Sequence, residues 1–328
     1  MRIIEQLNKL PIRSGEYLVL PNLNTPYFII PLHSRRTFID AISFVKSKNL
    51  KGNIKRNALR LIPMFILRIF FPVISIQSKN YDNHFYQLIL PWNQDVCNKF
   101  TVFNFNENKI TLLKIGFENY KGMIRNEYES ILKAPKFGKD IIPEIVSFHE
   151  DDSFTKIETL FYDGIHPNYL PVMINDFFER IKDESPLLKM NDHPYVNRIV
   201  KIINNVLEKE CLDVLFNSVN SNLNKFKNEL VPVVLMHGDC SKTNVISENG
   251  RDMLIDWEDC IFDGVPIDTG YFDFRMHIDN GKSWKIRTKI DFLVVLHYIY
   301  LQIKHDNIKI FSDISYPLLL SRFSALEQ

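Results

Sequence analysis

The four cysteines, Cys97, Cys211, Cys240 and Cys260, form no CxxC pair and show no zinc-ligand spacing. This points to four reduced thiols in a reducing compartment rather than a disulfide framework or a thiolate metal centre. Glycine is scarce, at 11 of 328 residues, and no GxGxxG occurs. A glycine-lined phosphate cradle is therefore missing. No apolar run makes a good membrane span. The most apolar stretch, LIPMFILRIFFPVISI (61–76), carries Arg68 and two prolines and is short. It reads as a buried helix followed by a strand. The N-terminus lacks the layout of a secretion signal. No repeat or low-complexity segment appears. With a net charge of +1 the chain makes no case for nucleic acid.

What is present is an ordinary globular composition, 45% hydrophobic and 24% charged, in a chain too long for one small core. Charge is uneven in one place. Lys46, Lys48, Lys51, Lys55, Arg56, Arg60 and Arg68 form a basic run. Together with the apolar stretch it leaves open a peripheral membrane contact through residues 46–76.

Along the chain, 16–32 read as two short strands around a Pro/Asn turn, and 36–70 as helices broken near Leu50. Strands follow at 84–90, 99–105 and 109–117, then a helix through 126–134 with Ile131 and Leu132 on its apolar side, then strand character over 153–164. Beyond Gly164 the three-and-four spacing of apolar residues predicts long helices. A boundary near 158–166 follows.

The chemistry concentrates in HGDCSKTNV (237–245) and LIDWED (254–259). Asn249-Gly250 is a strong hairpin signal, since both residues tolerate the positive φ of a type I′ turn. Folding there sets Asn244 opposite Ile255, with Asp256 one step away. Asp239 lies five residues before Asn244. Three oxygen-bearing side chains thus converge. Mg²⁺ takes hard oxygen ligands and keeps water and phosphate for the rest of its shell. A carboxylate off the metal can accept the proton of an attacking hydroxyl.

His237-Gly238-Asp239, Asn244, Ile255-Asp256-Trp257-Glu258 and Gly264-Val265-Pro266-Ile267-Asp268 together resemble the aminoglycoside phosphotransferase and choline kinase-like family. The resemblance implies an α+β, bilobal protein-kinase-like fold, with an antiparallel-sheet N-lobe and a mainly helical C-lobe. On that scheme residues 1–80 form an N-terminal extension of unassigned structure. Residues 81–160 form the nucleotide-binding N-lobe, and 161–328 the C-lobe with its catalytic loop. The resemblance implies ATP or GTP as phosphate donor, Mg²⁺, and a small molecule with a hydroxyl as acceptor. It makes Asp239 the base, Asn244 and Asp256 the metal ligands, and His237 and Asp268 braces of the loop. Lys114, on a strand, and Glu127, on the next helix, are the candidates for the kinase lysine and its glutamate, with Glu129 the alternative to Glu127.

The departure is the phosphate loop. PWNQDVCNK (91–99) offers Asn93, Gln94 and Asn98 in place of glycine amides. The adenine is expected near Glu158–Phe161. The acceptor reads best as a sugar, polyol or amino alcohol. Asp163, Asp273 and Glu258 are the acidic candidates near it. Tyr271, Phe272, Phe274 and Tyr298 read first as helix core and second as a stacking surface. The location expected is cytoplasmic, with membrane association as the alternative. Two rival functions remain: a kinase fold that binds without turnover, and a membrane-peripheral docking protein.

Overall fold

The computed structural model describes residues 2–24, 26–44, 50–78, 86–92, 95–106, 109–282 and 284–305. The fold is α+β. It divides into two compact units, one of residues 1–128 with 144–161, the other of 129–143 with 162–328.

The first unit is built on one eight-stranded antiparallel sheet. Its helices are α1 (Arg2–Leu7), α2 (Arg35–Phe44), α3 (Leu50–Leu61), α4 (Met64–Phe70) and most of α5 (Lys121–Lys133). Its strands are β1 (Gly15–Leu20), β2 (Phe28–Pro31), β3 (Val73–Ile76), β4 (Tyr86–Trp92), β5 (Asp95–Asn106), β6 (Lys109–Phe117), β7 (Ile145–Glu150) and β8 (Phe154–Leu160). They lie in the order β3-β1-β2-β4-β5-β6-β8-β7. The first seventy-eight residues therefore extend the sheet by three strands.

The two-residue period of a strand explains how both faces are covered. Tyr17 and Val19 of β1 pack with Ile3 and Leu7 of α1 and with Phe100, Val102, Leu113 and Ile115. Leu18, between them, points the other way and joins Phe38, Ala41 and Ile42 of α2 and Leu67 of α4. A polar row also crosses this sheet. The side-chain amide of Gln87 donates to Asn104 Oδ1 at 2.8 Å, Asn104 donates to Glu158 at 3.1 Å, and Ser147 donates to Glu158 at 3.0 Å. Thr111 donates to the same carboxylate. The side chain of Glu158 is thereby committed within the sheet.

Two expectations need correction here. α4 forms as predicted and β3 follows it, but only Leu67 of α4 is buried. The helix has apolar residues all round, so one layer of contact with the sheet cannot cover them. In α5, Ile131 is buried while Leu132 is exposed, because adjacent helical residues lie about 100° apart.

The second unit holds α6 (Val172–Asp183), α7 (Pro194–Lys209), α8 (Asp213–Phe226), α9 (Asp268–Asp279) and α10 (Lys289–Lys304). Among the described residues it also has six short strands: β9 (Leu187–Lys189), β10 (Leu230–Pro232), β11 (Val234–Met236), β12 (Val245–Glu248), β13 (Arg251–Leu254) and β14 (Ile261–Gly264). They pair as three separate two-stranded ribbons, β9 with β10, β11 with β14, and β12 with β13. Thr288 caps α10 in a reciprocal capping box with Asp291.

Candidate active site

The β12–β13 hairpin has the expected register, with Val245 opposite Leu254. Its turn residues Asn249 and Gly250 have φ of 50° and 80°, as a type I′ turn requires. The pairing runs one residue further, since the Ile255 amide donates to the Asn244 carbonyl at 2.9 Å. Asp256 follows at φ 66°, a left-handed conformation that Asp tolerates better than most side chains. Asn244 Nδ2 donates at 2.9 Å to both the carbonyl and the Oδ2 of Asp239. With the nitrogen so engaged, the amide oxygen is the atom Asn244 has left to offer a cation.

The loop that carries Asp239 is held from several sides. The amides of His237 and Gly238 donate to Oδ2 and Oδ1 of Asp268, each at 3.1 Å. Asp268 opens α9 and is buried. His237 Nε2 donates to the Ile255 carbonyl at 3.0 Å, and its Nδ1 accepts from the Asp239 amide at 3.3 Å. A carbonyl partner on one nitrogen and an amide partner on the other fix the Nε2–H tautomer. The ring also meets Trp257 edge-on at 4.8 Å. Gly238 sits at φ 88°, and a Cβ there would fall 2.2 Å from the Asp259 carbonyl oxygen. Only glycine meets both conditions.

His297 of α10 closes the clamp. It is fully buried, its Nε2 donates to the Gly238 carbonyl, and its Nδ1 accepts from the Tyr195 hydroxyl. Burial pushes its pKa down to about 4, so the ring is neutral and has one N–H to give. Asp268 thus holds the Gly238 N–H and His297 holds its C=O.

Electrostatics follow from this packing. Burial pushes Asp239 up to about 7; the Arg275 guanidinium and the Asn244 hydrogen bond pull against this, while Asp259 and Asp256 add to it. Arg275 Nη1 stands 3.6 Å from Asp239 Oδ1. Burial likewise raises Asp268 to about 7, against the pull of its two backbone amides. For Asp259, burial is overridden by the His305 hydrogen bond and the Lys304 charge, which hold its carboxyl well below the usual range. Lys304 pairs with it directly. Asp256 and Asp259 thus add negative potential at Asp239, while Lys304 answers the charge of Asp259 and Arg275 that of Asp239. The hard oxygens of Asn244 and Asp256 suit Mg²⁺.

In the first unit, Lys114 Nζ lies 2.7 and 2.9 Å from the two carboxylate oxygens of Glu127. Both side chains are almost wholly buried. Glu129 pairs instead with Lys133, four residues on, at the surface. Asn98 is a buried residue inside β5, because strand pairing continues outward to Trp92 opposite Asp95. The expected loop is shorter than 91–99. Asn93 and Gln94 lie outside the described residues.

Tyr271, Phe272 and Phe274 are buried core. Two partners in the site were missing from the sequence reading. Arg275 lies seven residues after Asp268, two turns along α9, and this spacing puts it on the same face. It lies 5.9 Å from the Tyr271 ring and 6.0 Å from the Tyr298 ring. His297 was signalled by a lone imidazole in the apolar run DFLVVLHYIYLQI, which must find partners when buried.

No family model matches the sequence, and no curated relative does. Among solved structures, the chain is similar to a candidate fructosamine-3-kinase from Haemophilus somnus 129PT at a TM-score of 0.46 and 11% identity, over 70% of this chain and 88% of that one. It is similar to the aminoglycoside phosphotransferase APH(4)-Ia at 0.42 and 14%, over 70% and 89%. It is similar to spectinomycin phosphotransferase APH(9)-Ia, solved with ADP and spectinomycin, at 0.39 and 14%, over 70% and 86%. At such values the likeness carries no functional weight, and the chemistry rests on the side chains.

Proposed function

We propose that this chain is a small-molecule kinase that moves the terminal phosphate of ATP or GTP to a hydroxyl. The observation that carries this reading is the clamped loop. It presents Asp239 against Asn244, at the open end of the hairpin that also delivers Asp256. A rigid loop with a perturbed carboxylate, a neighbouring amide oxygen and a second carboxylate has the parts that phosphoryl transfer needs.

Asp239 accepts the proton of the acceptor hydroxyl. The hydroxyl oxygen forms its bond to the terminal phosphorus as the bond to the nucleoside diphosphate breaks. Asn244, through Oδ1, and Asp256 would hold Mg²⁺, which when bound neutralises phosphate charge. In the first unit, Lys114, oriented by Glu127, serves the phosphates as donor. His237 and Asp268 keep the loop in place.

Arg275 bears on the acceptor. A guanidinium beside Asp239, with the Tyr271 and Tyr298 rings around it, occupies the place where a cationic acceptor would be caged. A neutral sugar or polyol fits this better than an amino alcohol. The lack of a glycine-rich loop supports a second reading, nucleotide binding without turnover.

A screen of hydroxylated metabolites for release of nucleoside diphosphate separates the two. Turnover is expected with at least one sugar or polyol, and Asp239→Asn should lower it about 10²–10⁴-fold while nucleotide binding persists. Binding with no turnover on any acceptor would favour the second reading. Full turnover by Asp239→Asn would remove Asp239 from its role.

A further inference from the structure

The helices α3 and α4 are apolar on two sides. On the inner side Leu67 is buried, with Leu59, Ile62 and Met64 against the same cluster. On the outer side Leu61 is 82% exposed, Phe70 74%, Ile69 72%, Phe65 64% and Ile54 59%. Ile54 and Leu61 are seven apart on α3, and Phe65 and Ile69 four apart on α4, so each pair shares a helical face. Single exposed apolar residues are ordinary, but five large ones within residues 54–70 are a local concentration that calls for an occupant.

Charge identifies the occupant. From Ala41 to Tyr81 the sequence contains Lys46, Lys48, Lys51, Lys55, Arg56, Arg60, Arg68 and Lys79, and no Asp or Glu. The whole chain is balanced, with 40 basic and 39 acidic residues, so this segregation is local. Some of the neighbouring charge is used internally. Arg68 pairs with Glu16 of β1 at 2.8 Å, Arg36 with Asp40 at 4.0 Å, and Arg35 donates to the carbonyls of Arg60 and Ile62 at the end of α3. A second copy of the chain would bring one basic segment of sequence against another, which is unfavourable. An anionic bilayer accepts both features, since apolar side chains enter the boundary between headgroups and acyl chains while lysine and arginine meet lipid charge.

We propose that the outer face of α3 and α4 docks on an anionic lipid bilayer, lying in its surface with Phe65 and Ile69 inserted. α4 has seven residues, and among the described residues no helix is long and apolar enough to cross a membrane. This inference does not depend on the kinase reading.

The test is co-sedimentation of the full chain with vesicles of phosphatidylcholine alone, and of phosphatidylcholine with phosphatidylserine, at low and high salt. Binding is expected to the serine-containing vesicles at low salt, about fivefold stronger for each basic residue engaged, and weakened by salt. Phe65→Asp with Ile69→Asp should lower binding tenfold or more while far-ultraviolet circular dichroism is unchanged, as both sites are exposed. Val214→Asp, at a 73% exposed position on α8, should leave binding as it was. No pelleting with anionic vesicles at low salt, or equal pelleting of the double variant, would overturn the proposal. A concentration-dependent dimer abolished by the same substitutions, without vesicle binding, would assign the face to a second copy and overturn it equally.

Discussion

Replacing Gly238 by Ala separates two costs that the structure lets one predict. The first is conformational. Gly238 has φ 88°, where an L-residue with a Cβ costs about 1–2 kcal/mol. The second is steric. The added Cβ would lie 2.2 Å from the Asp259 carbonyl oxygen, a backbone atom that cannot swing aside. Overpacking of this kind costs about 1–3 kcal/mol. The sum, about 2–5 kcal/mol, is a large part of the stability of a typical domain. Gly250 supplies the control. Its φ is 80°, but a Cβ there meets nothing within 4 Å, so Gly250→Ala should show only the conformational part. Gly122, in α5, has neither feature, and Gly122→Ala should stabilise by about 0.5–1 kcal/mol. Urea unfolding of the three variants, followed by tryptophan fluorescence and far-ultraviolet circular dichroism, measures the series. The buried Trp257 lies beside the loop and reports on it. If Gly238→Ala costs no more than Gly250→Ala, the close approach at Asp259 does not hold and the clamp has been misread.

Two other outcomes follow from buried charges. Lys114→Met removes a bidentate partner from Glu127 and should cost about 3 kcal/mol, whereas Lys114→Met with Glu127→Leu should cost less than the sum of the two single changes; a double-mutant cycle by urea unfolding decides, and additivity would mean the pair is not coupled. The low pKa of His297 has a definite sign. Between about 4 and 6.5 the unfolded chain binds a proton that the native ring does not, so this stability is fully present above about 6.5 and lost as pH falls toward 4, about 3 kcal/mol in all. Wild type compared with His297→Gln across that range should show the difference shrinking toward acid; a pH-independent difference would contradict the buried neutral imidazole.

The parts of the site legible in the sequence are those set by local rules. Asn249-Gly250 fixed a turn, and a two-residue turn fixes its register, so Asn244 could be put opposite Ile255 without any structure. Lys114 and Glu127 were legible because a lysine flanked by apolar strand residues must find an anion. What could not be read depended on contacts between residues far apart in sequence. His297 lies 59 residues from Gly238. The membership of β1–β3 in the large sheet follows, among the described residues, from the pairing of Ile29 with Ile89, which no local pattern announces. The 61–76 stretch shows the opposite failure. Its composition named the elements correctly, but composition does not say which apolar faces a protein leaves uncovered.

Nucleotide binding with and without magnesium, titrated on the wild type and on Asp256→Ala, tests the heart of this account. The wild type should bind ATP more tightly when the cation is added, and Asp256→Ala should lose that increment while keeping its magnesium-free affinity. An increment of the same size in both proteins would mean that the cation, if it binds, is held somewhere else.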